Sequence, residues 1–227
     1  MRMEEAGVEA RTGGAVVDKR RRDEILDAAF SVLAERGYRG ASTREIAERA
    51  RASKETLYSW FGDKRGLFEE LVRRQAEGVG EALSASLQRD AEEPAVVLRA
   101  FAVELLRLLL GERAVVINRA AISEAATDPT FASILTAGGR ASIVPKLEGY
   151  LEGQQAQGRL DFGHVGDAGM AAETLIGLTI GDMQVRRLLG TLPMPEPEQI
   201  EAYAERAVAG FLKLFAPRPI VQGRDGL

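Results

Sequence analysis

The sequence predicts an all-α protein of about nine helices, in which a three-helix head precedes a longer helical body. Apolar residues recur every three or four positions from residue 25 to residue 215, which is the period of an amphipathic helix. No stretch of useful length alternates apolar and polar residues, as a half-buried strand would. Hydrophobic residues make up 45% of the 227-residue chain, which is enough for a sizeable core.

The chain is expected to begin with a disordered tail over residues 1–18, because this stretch is small and polar and lacks a helical period. The first helix is predicted to run from about Arg22 to Arg36. Ile25, Ala29 and Leu33 fall on one stripe of that helix. The glycine that follows, Gly37, can adopt the positive φ that ends many helices.

The next two predicted helices are short and lie between residues 42 and 61. Ser42 can cap the first of them, and Glu45 completes a capping box. After a turn at Arg51-Ala52, Ser53 can cap a second helix that ends near Phe61. Two helices joined so tightly need a third behind them, which is the helix-turn-helix arrangement whose second helix enters the major groove of DNA.

The outer face of that second helix is suited to DNA. Leu57 and Phe61 lie one turn apart and are expected to face the first helix. At 3.6 residues per turn, the side chains that then point outward are Lys54, Glu55, Thr56, Tyr58 and Ser59. A lysine can meet a phosphate or a guanine edge, and a glutamate can accept from the amino group of cytosine.

The remaining elements form the predicted body. A long helix is expected from Lys64 to about Arg89, with Asp63 as its cap. Gly138-Gly139 favours a break in the longest later helix, and the prolines of residues 191–197 favour a rigid linker. The later helices are predicted at about residues 94–110, 113–127, 128–157, 165–189 and 196–215, followed by a tail at 218–227.

The pattern from Arg22 to Leu71 resembles the DNA-binding domain of the TetR/AcrR family of bacterial transcriptional regulators and covers about a quarter of the chain. The residues that carry the resemblance are Ile25-Leu26-Asp27-Ala28-Ala29-Phe30, Glu35-Arg36-Gly37-Tyr38, Glu45-Ile46-Ala47, Ser53-Lys54, Thr56-Leu57-Tyr58, Phe61, Asp63-Lys64 and Leu67-Phe68. The carboxyl-terminal half is more loosely similar to a ligand-domain subgroup called AefR-like. The resemblance implies a DNA-binding domain at 19–75, with its motif at 42–61, and a ligand-binding and dimerisation domain at 76–217.

The resemblance also implies roles for single residues. Family residues that match Thr43, Tyr58 and Lys64 hold the phosphate backbone, and those that match Arg44 and 54–59 face the bases. The predicted DNA-binding set is Thr43, Arg44, Ser53, Lys54, Glu55, Thr56, Tyr58, Ser59, Trp60 and Lys64.

Three positions depart from the family pattern, and they leave the base preference open. Arg51 stands where a turn glycine is common, and Ala52 stands where valine is common. Glu55 stands where a small residue is frequent.

The body is expected to hold a small-molecule effector and to join two copies of the chain. The resemblance implies a ligand pocket, although each of its candidate residues fits plain core better than ligand contact: Phe101, Leu105, Ile117, Phe131 and Met170. One helix-turn-helix makes too few contacts for a specific site, so we expect a homodimer through the last two helices. Such a dimer reads a palindromic operator with half-sites about 34–36 Å apart.

Charge is unevenly divided along the chain, whose net charge is −4. Residues 18–75 carry 14 Lys and Arg against 11 Asp and Glu, whereas the rest carries 16 against 23. A basic head on an acidic body fits DNA contact at one end. The run Lys19-Arg20-Arg21-Arg22 is either a solvated charge run or an arm that follows the DNA phosphates.

Composition also narrows the function classes. With no cysteine and one histidine, His164, most nucleophile and metal constellations of enzymes are not available, and no cofactor is expected. There is no apolar signal segment and no uncharged stretch of membrane-spanning length, so we expect a cytoplasmic protein without membrane contact. The alternatives to a DNA-binding regulator are a helical protein-interaction module and, less favoured, an enzyme.

Overall fold

The computed structural model describes residues 2–88, 93–128, 130–138, 140–163 and 166–217. All regular secondary structure in these ranges is helical, which confirms the predicted all-α class. The helices are α1 (Arg2–Gly40), α2 (Thr43–Arg49), α3 (Lys54–Phe61), α4 (Lys64–Leu87), α5 (Pro94–Leu110), α6 (Glu112–Ala125), α7 (Thr130–Gly138), α8 (Arg140–Ala156), α9 (Ala168–Ile180), α10 (Met183–Leu189) and α11 (Pro197–Leu214).

The first helix is longer than its sequence pattern predicts. It begins at Arg2 rather than near Arg22, so residues expected to form a disordered tail are helical from Arg2 onward. Arg, Met, Glu and Ala are strong helix formers, and extending a helix that is already nucleated costs little. The predicted stop at Gly37 is present as a break with φ 68 and ψ 175 inside α1, a conformation that glycine adopts without steric cost.

The residues divide into two compact units, which we call the head unit (residues 1–75 and 116–135) and the body unit (76–115 and 136–227). Residues 116–135 had been assigned to the body but are grouped with the head unit. They belong to the head unit because one apolar stripe of α6 joins the core of the helix-turn-helix. That stripe consists of Val116, Ile117, Ala120 and Ala121.

The body unit has its own core, built mainly from α5, α9 and α11. Phe215 closes one end, with its ring centroid 5.3 Å from that of Phe162 and 4.7 Å from that of Phe211. The buried guanidinium of Arg187 on α10 donates to the carbonyl oxygens of Leu110 at 2.9 Å and Leu192 at 3.1 Å. This arginine therefore provides a hydrogen-bond donor to the last carbonyl group of α5 and holds the loop after α10 in place.

Two breaks explain why the described residues form eleven helices where about nine were predicted. The predicted helix at 165–189 is divided at Gly181, whose φ of 50 does not fit a continuous right-handed helix. The predicted helix at 128–157 is divided into α7 and α8 at the expected glycine pair, whereas Pro145 lies inside α8. Among the described residues, none of the helices is both long and apolar enough to cross a membrane.

Candidate DNA-binding surface

The two short helices of the head unit begin at the predicted serine caps. Ser42 has extended backbone angles, and its hydroxyl accepts from the amide of Glu45 at 3.1 Å. Ser53 likewise accepts from the amide of Thr56 at 3.0 Å. Because each cap satisfies an amide that has no partner within its helix, these serines fix where α2 and α3 start.

The turn between α2 and α3 keeps a left-handed residue although it has no glycine. Arg51 has φ 50, and its amide donates to the carbonyl of Glu48 at 3.2 Å. The amide of Ala52 donates to the carbonyl of Ala47 at 2.9 Å. These two bonds form the Schellman pattern that usually ends on glycine, so the arginine bears a strain of roughly 1–2 kcal/mol.

The faces of α3 are oriented as the spacing of its apolar residues predicts. Leu57 and Phe61 are buried, with 3% and 8% of their surface exposed. Tyr58 on the other side is 50% exposed. Of the remaining outward positions, Lys54, Glu55 and Ser59 are exposed, and Thr56 and Trp60 are half-buried. Polar side chains thus cover the outer face of a helix that is anchored from within.

Two hydroxyls that the resemblance assigns to phosphate lie together. The Oγ1 atom of Thr43, at the start of α2, is 3.4 Å from the hydroxyl oxygen of Tyr58 in the middle of α3. Hydroxyls at the amino-terminal end of a helix lie where the backbone amides and the helix dipole favour an anion. The pair can therefore donate to a single phosphate group.

Lys64 is more enclosed than the sequence suggests. Its Nζ lies 4.4 Å from the ring centroid of Tyr38 and donates to the carbonyl of Arg39 at 3.4 Å. Burial lowers the pKa of Lys64, and the nearby Glu124 opposes that shift. The amide of Gly66 donates to Asp63 at 2.8 Å, so Asp63 holds the start of α4 as predicted.

Tyr38 lies within the stretch that resembles the family, but no role was predicted for it. Its ring supports the Lys64 ammonium on one side and packs edge-on against Phe68, with 5.3 Å between ring centroids. Arg39, the next residue, pairs with the buried carboxylate of Glu124 at 2.8 Å. The sequence carried a signal for this support, because an aromatic residue after a helix-ending glycine commonly packs back on the helix.

Two charged residues of the predicted DNA-binding set are held by neighbours on their own helices. The Nε atom of Arg44 donates to Glu48 at 2.8 Å. Glu55 accepts from its own backbone amide and from the hydroxyl of Ser53, and these bonds lower the pKa of its carboxyl group. Both side chains are exposed, so these bonds can be exchanged for bonds to bases.

Arginines of the basic run at residues 19–22 contact other residues of the protein. Neither predicted role of this run, a solvated charge run or an arm along the DNA phosphates, requires such contacts. Arg20 lies 3.6 Å from Glu24, and Arg22 lies 3.4 Å from Glu70 and stacks over Phe61. Arg21 donates to the carbonyl oxygen of Arg51 at 2.6 Å. Arg21 and Arg22 therefore contact residues of the helix-turn-helix.

The structure describes the side chains of four of the five predicted ligand residues. Phe101 and Leu105 are buried in the core of the body unit, and Ile117 is buried in the core of the head unit. Met170 is 52% exposed on α9, and the side chain of Phe131 lies outside the described residues. An open groove of about 370 Å³ in the body unit is instead lined by α4, α5 and Glu201, without Phe101 or Leu105.

Comparison with known families gives two matches that together span most of the chain. Residues 25–71 match the model of bacterial regulatory proteins of the tetR family. Residues 96–217 match the model of the C-terminal domain of AefR-like transcriptional repressors. The second match alone covers more than half of the chain.

Two curated relatives match over about a quarter of this chain. An HTH-type regulator of Bacillus subtilis, YvkB, is 42% identical over 59 residues, which is 26% of this chain and 31% of the relative. The repressor AcnR of Corynebacterium glutamicum is 40% identical over 63 residues, 28% of this chain and 34% of AcnR. The chain thus spans about a third of the length of these relatives.

Solved structures match over nearly the whole chain. A TetR-family regulator from Mesorhizobium loti is 25% identical, with a TM-score of 0.78 over 87% of this chain and 98% of that one. The flavonoid-responsive regulator FrrA is 28% identical, with a TM-score of 0.67 over 88% of this chain and all of that one. A TetR regulator from Agrobacterium tumefaciens is 31% identical, with a TM-score of 0.68 over 87% and 94% of the two chains.

Proposed function

This chain belongs to the tetR family of bacterial regulatory proteins, and on that premise we propose that it binds operator DNA as a ligand-responsive transcriptional repressor. The observation that carries the proposal is the orientation of α3. Its apolar residues Leu57 and Phe61 are buried, and its polar side chains face solvent. A short capped helix with such a face fits the major groove of DNA, where base edges can be read by hydrogen bonds.

The contacts divide into two classes. Thr43, Tyr58 and Lys64 lie at helix starts or on the side of α3 and hold phosphates, which fixes the register of the head unit on the duplex. Arg44, Lys54 and the exposed residues that follow it on α3 read the bases. Ser53 and Trp60 act at the edges of this surface, Ser53 mainly as the cap of α3.

The protein acts as a homodimer that reads a palindromic operator. Support comes from exposed apolar side chains on the helices proposed to form the interface: Met170 and Leu178 on α9 are 52% and 44% exposed, and Leu214 on α11 is 50% exposed. Large apolar residues grouped on a surface commonly mark an interface. Two copies packed through α9 and α11 would cover these residues in a four-helix arrangement.

A small molecule bound by the body releases the operator. FrrA is described as flavonoid-responsive, and we propose an apolar, partly aromatic effector for this chain as well. Such a ligand would enter beside Phe101 and Leu105, which are buried among the core side chains of the body unit. The ligand binds one of two arrangements of the paired heads more tightly than the other, and so shifts the equilibrium between them. The continuous helix α4 would carry this change.

The deciding experiment is selection of bound duplexes from a random pool by the purified full chain. A palindromic motif whose affinity falls steeply with salt supports the proposal. An enriched motif that lacks two-fold symmetry overturns the dimer, and the absence of any enrichment at low salt overturns the function in favour of an interaction module. With the motif known, a panel of flavonoids and other apolar aromatics is screened for release of the labelled duplex.

A further inference from the structure

We propose that Arg21 is a positioning residue for the recognition helix α3, because it holds the strained turn that precedes this helix. The proposal rests on the proposed DNA-binding function. The turn contains Arg51, the only non-glycine residue with positive φ among the described residues. A glycine would adopt that conformation freely, whereas an arginine needs the surrounding structure to hold it there.

A single guanidinium group makes the contact that holds the turn. The Nη2 atom of Arg21 donates to the carbonyl oxygen of Arg51 at 2.6 Å, and Nη1 of the same guanidinium binds Glu24 at 2.7 Å. Glu24 lies three residues further along α1, so the guanidinium is fixed from one side and presents its other nitrogen to the turn. A hydrogen bond from a charged donor is stronger than one between neutral groups.

The position of Arg51 gives this contact a consequence for DNA binding. Its peptide group lies between the end of α2 and Ser53, the cap of α3. A change in the conformation of residue 51 therefore changes the direction in which α3 leaves the turn. One contact thus links an arginine in place of a turn glycine with an arginine of the basic run before the apolar stripe of α1.

The test uses the full chain, the duplex that the wild-type protein selects from a random pool, and a scrambled duplex of equal length and composition. The measured quantity is selectivity, the ratio of the two dissociation constants. Arg21→Ala is expected to lower selectivity by about 5- to 10-fold, the size of one ordinary net hydrogen bond, since the guanidinium is partly exposed to solvent. Arg20→Ala is the matched control, because it removes the same charge from a side chain that is 84% exposed and does not contact the turn.

Rescue distinguishes a turn support from a DNA contact. In an Arg51→Gly background the turn needs no support, so adding Arg21→Ala is expected to change selectivity by less than about twofold. An equal loss in both backgrounds, or an equal effect of Arg20→Ala, would overturn the proposal. So would a flatter salt dependence for Arg21→Ala, since that marks a lost phosphate contact.

The outcomes also separate this inference from the function on which it rests. A wild-type protein that enriches no duplex overturns the regulator function itself. A wild-type protein that selects a motif, with unaltered selectivity in Arg21→Ala, overturns only the role of Arg21. If Arg21→Ala does not fold, Arg21→Lys is judged by the same rescue, because it keeps the charge but cannot donate to Glu24 and the turn in the same geometry.

Discussion

Replacing Lys64 by Met tests the most enclosed of the proposed phosphate contacts. The methionine keeps an apolar stem against the ring of Tyr38, which the lysine Nζ approaches to 4.4 Å from the centroid, and removes the charge together with the hydrogen bond to the carbonyl of Arg39. A dimer presents two copies, so the slope of log affinity against log salt concentration is expected to flatten by about 1.8. The resulting loss of affinity is at most about 200-fold at 50 mM salt and about 20-fold at 200 mM.

The assay is fluorescence anisotropy with the selected duplex and its scrambled counterpart between 50 and 400 mM salt. Lys146→Ala is the control, because it removes the same charge from a side chain of the body unit that donates to Ser84 at 2.7 Å. Both duplexes should lose affinity alike in the Lys64 variant. An unchanged slope, or a loss confined to the selected duplex, would refute the phosphate assignment.

Three further outcomes are expected. Glu55→Gln should change the base preferred at one position of each half-site when the selection is repeated. An unchanged motif would mean that Glu55 does not read a base and only accepts a hydrogen bond from Ser53 at the start of α3. Leu178→Glu should convert the dimer to monomer in light scattering and weaken operator binding at least 10-fold, since an interface cannot bury an unpaired carboxylate; a variant that stays dimeric would place the interface elsewhere. Glu35→Gln should make the stability of the protein depend less on pH under acidic conditions. The hydrogen bond from Arg49 lowers the pKa of Glu35 in the folded protein. The stability that this lowered pKa contributes is therefore present above the ordinary pKa of 4.5 and is lost as pH falls through the lowered value. Melting temperatures of the wild-type and variant proteins, measured at decreasing pH, test this. An identical pH dependence in the two proteins would contradict it.

Local chemistry explains why the helix-turn-helix could be predicted in detail. Ser42 and Ser53 are caps whose partners lie three residues away, so their bonds depend on nothing distant. The burial of Leu57 and Phe61 follows from helical spacing alone. Arg51 was recognised as a departure from the usual turn glycine, but its support by a residue thirty positions earlier was not visible in the sequence.

Predictions for the body were weaker because they depended on long-range packing. Residues 116–135 are apolar on one stripe, and the sequence does not say which core that stripe joins; the structure places it with the head unit. Ile117 was therefore grouped with Phe101 and Leu105 although they lie in different cores. The break at Gly181 was missed because a single glycine within an apolar helix is usually tolerated.

The edge of the α3 surface has a practical consequence. Trp60 is the single tryptophan of the chain, and it sits half-buried beside Phe61, with 6.5 Å between ring centroids. Indole emission excited at 295 nm therefore reports on one turn of one helix in an unlabelled sample. Quenching by iodide or acrylamide, with and without duplex, would follow occupancy of that turn without any attached dye.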